Sequence, residues 1–165
     1  MGVPVGRYVL RVGASLPKNW SLLSATYGGR DITGSALELK PEDLDGIVIT
    51  FTDRPSELTG MVATSSGAPD TTAAVLAFPT DQTYWTGFGS ASRHIKSART
   101  SSTGEYTFSN LPPGDYFVVA VSDAATGDWQ NPEVLAALSR GASRSQLNEG
   151  DKRTQALRTT AAPIR

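Results

Sequence analysis

Apolar and polar residues alternate in short bursts along most of the chain, and turn residues separate the bursts. Residues 45–52 (DGIVITFT) show the rhythm, with Ile47, Ile49 and Phe51 on one face and Val48 and Thr50 on the other. Comparable β-prone runs lie at 6–12, 20–26, 57–64, 72–78, 93–99, 105–109, 115–121, 143–147 and 155–159. Between them, SSGAPD, SSTGE and LPPGD supply glycine for positive φ and proline for a fixed φ. Many short strands at this spacing predict an antiparallel β-sandwich. In 115–121 both alternating sets are apolar: Tyr116, Val118 and Ala120 on one side, Phe117, Val119 and Val121 on the other. That strand is expected to be central and covered on both faces.

One segment breaks the pattern. Asn131 and Pro132 precede EVLAALSRG, which supplies an N-cap, a proline at the first helical position and an acidic residue where the helix end is positive. Val134, Leu135 and Leu138 form an apolar stripe and Gly141 a stop signal, predicting a helix of about two turns between strands.

Composition narrows the classes. The 165 residues carry a net charge of -1 and are 39% hydrophobic, which excludes both a disordered chain and a strongly basic nucleic-acid binder. The longest apolar runs, 73–78 and 116–121, fall far short of the roughly 18 residues a membrane helix needs, so no membrane insertion is expected. The first ten residues lack a basic region followed by an apolar stretch, so no signal peptide is expected there. Without cysteine there is no disulfide framework, thiol nucleophile or thiolate metal site, and the single histidine, His94, excludes sites built on two imidazoles.

The chain also repeats itself. VPVGRYVLRV at the start is similar to LPPGDYFVVAV at 111–121. Gly6 and Gly114, Tyr8 and Tyr116, Leu39 and Leu147, and Ile49 and Leu157 each stand 108 residues apart, and Trp20 and Trp129 follow the two blocks. Residues 1–52 therefore read as the C-terminal half of a β-sandwich domain whose complete copy spans 53–165. Such a half is too short to bury a good core alone. Its strands are expected to pack on the complete copy, on another molecule or on an upstream half, and homo-oligomerisation through the 1–52 strands is one expected outcome.

Within 53–165, ELTGMVATSSGAP followed by TGEYTFSNLPPGDYFVVAV resembles the carboxypeptidase regulatory-like domain. That family's pattern is a Gly-x-Val strand, a Gly-x-Pro turn and a Gly-x-Tyr-x-Phe-x-x-Leu-Pro-Pro-Gly-x-Tyr block. Gly60 and Val62 match the first part, Gly67 and Pro69 the second, and Gly104, Tyr106, Phe108, Leu111, Pro112, Pro113, Gly114 and Tyr116 the third. The resemblance implies a seven-stranded, transthyretin-like (prealbumin-like) sandwich with a starch-binding-like fold. The module it implies is non-catalytic, extracellular or periplasmic, and part of a larger bacterial envelope protein. Its implied partners are other domains of that protein or another protein chain, with polysaccharide as an alternative and no nucleic acid.

Candidate chemistry is sparse. The regulatory-like domain is the accessory part of zinc carboxypeptidases, and one histidine cannot supply their ligand set. Transthyretin-like hydrolases use more than one histidine and a characteristic C-terminal tetrapeptide, whereas this tail reads AAPIR. No catalytic residue, cofactor or metal is therefore expected. An intramolecular crosslink, as in related pilin-type sandwiches, needs a buried lysine on an early strand, and 57–64 and 72–79 contain none. Glu42, Asp43 and Asp45 read as a solvated turn, and Arg93, His94, Lys96 and Arg99 as a solvated strand face. For a sugar, the candidates are Tyr84, Trp85 and Phe88 in DQTYWTGFGS, with hydrogen bonds from Asp81, Gln82 and Arg93; the alternative is that Trp85 caps the end of the sandwich.

Overall fold

The computed structural model describes residues 3–12, 16–40, 45–88, 92–122 and 128–160. Glu42, Asp43 and the 161–165 tail lie outside them, and Asp45 is exposed. The strands are β1 (Gly6–Val9), β2 (Ser21–Tyr27), β3 (Arg30–Asp31), β4 (Ala36–Leu39), β5 (Val48–Thr52), β6 (Glu57–Ala63), β7 (Ala73–Pro79), β8 (Lys96–Arg99), β9 (Glu105–Ser109) and β10 (Gly114–Ser122). The helix α1 (Pro132–Ser139) follows, then β11 (Ser143–Leu147), β12 (Lys152–Thr154) and β13 (Leu157–Thr160).

All seven residues of β7 are buried, and β7 pairs antiparallel with β10 from Tyr116 opposite Pro79 to Ser122 opposite Ala73. Alternating side chains of the two strands enter two separate cores. Val75, Ala77, Tyr116, Val118 and Ala120 meet Leu58, Val62, Tyr106 and Phe108 of the β6–β9 pair. Leu76, Phe78, Val119 and Val121 meet Trp85, Ile95, Trp129, Leu135 and Leu138. The molecule is thus layered: the β6–β9 pair, the β7–β10 pair, then α1 with a short 3₁₀ turn at Gln82–Trp85. Asn131 caps α1 by accepting from the Glu133 amide at 2.9 Å.

The pairing is mixed, which corrects the purely antiparallel expectation. β13 runs parallel to both β6 and β10, and β12 runs parallel to β6, so β6–β13 form one eight-stranded sheet path. The returning chain is set beside β6 at its start, where Glu57 N donates to Asp151 O at 2.7 Å. Between β12 and β13 the chain bulges at Gln155, whose carbonyl accepts from the Tyr106 hydroxyl at 2.8 Å. Gly60 makes this approach feasible, because a Cβ there would lie 1.9 Å from the Gln155 oxygen.

The segments β3, β4 and β12 were too short or too polar to stand out in the sequence. β1 pairs with β4, and β2 pairs with β3 and β5; no strand pairing links β1–β5 to β6–β13 among the described residues. Gly6 stands opposite Leu39 in the β1–β4 pair, and Gly114 stands opposite Leu147 in the β10–β11 pair. Shifted by 108 residues, the two pairs have the same partners in the same register. The tryptophans do not share one job: Trp129 is buried in the second core, whereas Trp20 is exposed. α1 follows Trp129, while the β2–β3 hairpin follows Trp20, so the covering layer differs between the copies.

Gly60→Ala should cost roughly 1–3 kcal/mol or more in urea denaturation, because the clash is with backbone. Gly141→Ala, where nothing lies within 4 Å of the new methyl and φ is not positive, should stay within about 0.5 kcal/mol of wild type.

Candidate functional site

A groove of about 510 Å³ lies where the N-terminal strands meet the end of the sandwich. Leu23, Ser24, Asp31 and Thr33 form one wall, and Thr80, Asp81, Tyr84, His94, Asp115 and Tyr116 the other, with Asn148 and Glu149 completing the lining. The segment Pro112–Gly114 contributes backbone, because the Leu-Pro-Pro-Gly turn folds back before β10. Tyr116 fixes that turn by donating its hydroxyl to Pro112 O at 2.8 Å.

His94 is the hinge between the two walls. Its Nε2 lies 3.4 Å from Thr33 O and its Nδ1 lies 3.5 Å from the Tyr116 hydroxyl. The Tyr84 ring lies 4.5 Å from the imidazole at 30°. Burial holds the imidazole below its ordinary pKa, the Thr33 carbonyl opposes that shift, and nearby Arg93 adds to it. Burial raises the Tyr84 phenol, with the charges of Asp31 and Asp81 in support, and burial likewise pushes Tyr116 up. Both phenols are therefore neutral, as hydrogen-bonding groups require.

Asp31, Asp81, Asp115 and Glu149 give the groove an acidic lining, and no lysine or arginine lines it. Asp31 accepts from the Thr33 amide at 2.7 Å, and Asp81 from the amide and hydroxyl of Thr83 at 2.9 and 2.7 Å. Glu149 accepts from the Thr52 hydroxyl and faces Arg54 at 3.6 Å. No group of three or more metal-ligating side chains converges among the described residues. Spread carboxylates around an aromatic ring suit a neutral polyhydroxyl or cationic ligand, and they repel anions.

The sequence candidates for a sugar site do not come together. Tyr84 lines the groove. Trp85 is buried, donates its Nε1 to Pro79 O at 2.8 Å and packs edge-on against Phe78, so it has no face to offer a sugar. Phe88 packs against the second core. Arg93 lies outside the groove: one guanidinium nitrogen donates to Leu22 O, and the other, Nη1, is buried with no hydrogen-bond partner. Arg93 and His94 thus face the N-terminal strands, correcting the expected solvated face, while Lys96 and Arg99 are exposed. Lys18, Lys40, Lys96 and Lys152 are all exposed, so no lysine occupies the buried position that an intramolecular crosslink requires. Asp31, Thr33 and Asp115 were missed as site residues because nothing local marks residues 31 and 115 as neighbours; only the fold brings them to one groove.

No family model matches the chain, and no curated protein matches it. Among solved structures, it is similar to the streptococcal ancillary pilin, at 15% identity and a TM-score of 0.43, covering 97% of this chain and 46% of that one. It is similar to a putative carbohydrate binding protein from Pseudomonas aeruginosa, at 13% identity and a TM-score of 0.39, covering 63% of this chain and 88% of that one. It is also similar to the Bacillus anthracis TIE protein, at 16% identity and a TM-score of 0.39, covering 77% of this chain and 20% of that one. The chain therefore spans less than half of two of these three structures. Among the described residues, no helix is long and apolar enough to cross a membrane.

His94 gives a pH prediction. The unfolded imidazole takes a proton near pH 6.5, and the folded one only at a lower pH. Stability is then complete above 6.5 and falls as the pH drops below it, by at most roughly 1.4 kcal/mol per pH unit. Urea midpoints between about pH 7.5 and about pH 5.5 should fall more steeply in wild type than in His94→Gln; equal slopes would remove the assignment.

Proposed function

We propose that this chain is a non-catalytic β-sandwich module of a larger bacterial cell-surface or periplasmic protein, built from repeated units that serve as spacers and interaction surfaces. The observation that carries this reading is the shared register of the β1–β4 and β10–β11 pairs at a spacing of 108 residues. Repetition of a packing unit without a conserved cluster of reactive groups is what an architectural array requires. The complete unit fits the carboxypeptidase regulatory-like pattern: with β12 and β13 counted as one interrupted strand, it has the seven strands of a transthyretin-like sandwich. The residues of that pattern serve packing. Tyr106, Phe108, Leu111 and Tyr116 lie in the first core, and Gly60 admits the returning strand.

A second reading rests on the groove: a site for a neutral or cationic glycan, with the Tyr84 ring as its aromatic wall and Asp31, Asp81 and Asp115 as acceptors for hydroxyl groups. It replaces Trp85 with Tyr84 as the residue to test.

Protease treatment of intact cells of the native host should digest the protein or release it with the periplasmic fraction; recovery in the cytosol alone would overturn the envelope reading. On a glycan array, any binding through the groove should fall at least tenfold in Tyr84→Ala, about the 1.4 kcal/mol that one such contact supplies. Trp85→Ala should instead lower stability by about 3–5 kcal/mol, the usual cost of emptying a buried tryptophan site.

A further inference from the structure

We infer that the strands within residues 3–52 form the second half of a unit whose first half comes from another unit of the same kind, adding a β7-type strand to the free edge of β1. The inference rests on the repeat reading given above. In the complete unit, β10 carries β11 on one edge and β7 on the other, and its inner face packs on β6 and β9. In the partial unit, β1 carries β4 in the equivalent register and pairs with no other strand among the described residues.

Three differences follow the missing partner. β10 extends for nine residues, whereas β1 stops after four, at Val9. The residues equivalent to Val118–Ala120, which β7 and β13 hold in place, are 10–12, and they belong to no strand. Side chains that the complete unit buries are open in the partial one. Tyr116 is 1% exposed and Tyr8 38%, Leu111 2% and Val3 67%, and Leu157 7% and Ile49 42%. The apolar residues were retained where their cover is absent, which marks a face that another element covers.

The complete unit also states what the cover is. The segment equivalent to β7 reads AAVLAFP: uncharged, apolar and extended, entering antiparallel with its last residue opposite the tyrosine. A hairpin of the β6–β9 kind would then bury Tyr8 and Leu10 as it buries Tyr116 and Val118. A second copy of this chain cannot lend its own β7, because all seven residues of that strand are buried in their own sandwich. The donor is thus an unpaired first half of a unit, recognised by backbone hydrogen bonds at the edge and by apolar fit on the face.

The test is a chain in which a duplicate of residues 53–110 is joined ahead of residue 3, reproducing the natural 110–111 junction. Hydrogen exchange at residues 8–12 should slow at least tenfold relative to the original chain, and nitration of Tyr8 should slow at least tenfold. The same extension carrying Leu76→Asp and Phe78→Asp in the duplicate should give neither effect. If the extended chain proves insoluble, a peptide of residues 71–80 added to the original chain should protect the same amides saturably. Unchanged exchange at 8–12 in whichever of these soluble forms is measured would overturn the inference. So would a dimer of the original chain in which those amides are already protected, since the donor would then be a second copy. Either result leaves the envelope location untouched, because that is tested on intact cells.

Discussion

The arrangement depends on one strand pair that has no solvent face. β7 and β10 lie side by side with nearly every side chain buried, so each must find apolar cover on both sides. A single sheet partner cannot supply that. The β6–β9 pair covers one side, and α1, Trp85 and Trp129 cover the other. The helix is therefore not an ornament in a loop: without Leu135 and Leu138, the row Leu76, Phe78, Val119 and Val121 would face water. Full burial of side chains this size stabilises by roughly 1.5–3 kcal/mol each, so either layer would be costly to lose. The same requirement explains why the tryptophan next to the groove turns inward.

What the sequence disclosed follows from how local each signal is. β9 and β11 lie where alternation and turn residues place them, and α1 starts at its asparagine cap. The apolar double row of 116–121 announced a strand covered twice, and it is. The parallel return of β12 and β13 was not legible, because it depends on the Glu57–Asp151 hydrogen bond and the space left by Gly60, both set by residues far apart in the chain. The site was harder still. Tyr84 and Trp85 are adjacent, yet one lines the groove and the other donates to Pro79 O from the core; a short 3₁₀ turn decides which. Arg93 and His94 looked like members of a solvated basic face because the strand they precede is exposed, while their partners, Leu22 and Thr33, lie some 60–70 residues away.

The two copies diverge where their surroundings differ. The β10–β11 register survives in β1–β4, as it should if edge pairing is fixed by backbone and by alternation. The stretch between the paired strands does not survive: the complete unit places a helix there, and the partial unit a hairpin. That is where a unit can change its cover without disturbing its pairing. A helix suits a strand pair that needs an apolar lid. The β2–β3 hairpin has no such duty, since the β1–β4 pair has no β7 equivalent presenting a second apolar face among the described residues.

The groove is a consequence of that divergence. Its walls belong to the hairpin side of the partial unit and to the turn-rich end of the complete one, and the join between them is His94 between Thr33 O and the Tyr116 hydroxyl. Tyr116 is itself a marker of the repeated motif, so the groove hangs on a residue whose first duty is to fix the Leu-Pro-Pro-Gly turn. Both contacts to His94 are long, and a neutral imidazole can donate through only one nitrogen. The junction therefore gains little from hydrogen bonding and relies on Leu22, Ala25 and Ile32 being buried. A ligand that bridged Asp31 and Asp115 would act on the angle between consecutive units as well as on its own affinity. In an array of such units, binding in the groove and the direction of the array would be coupled through one tyrosine–histidine contact.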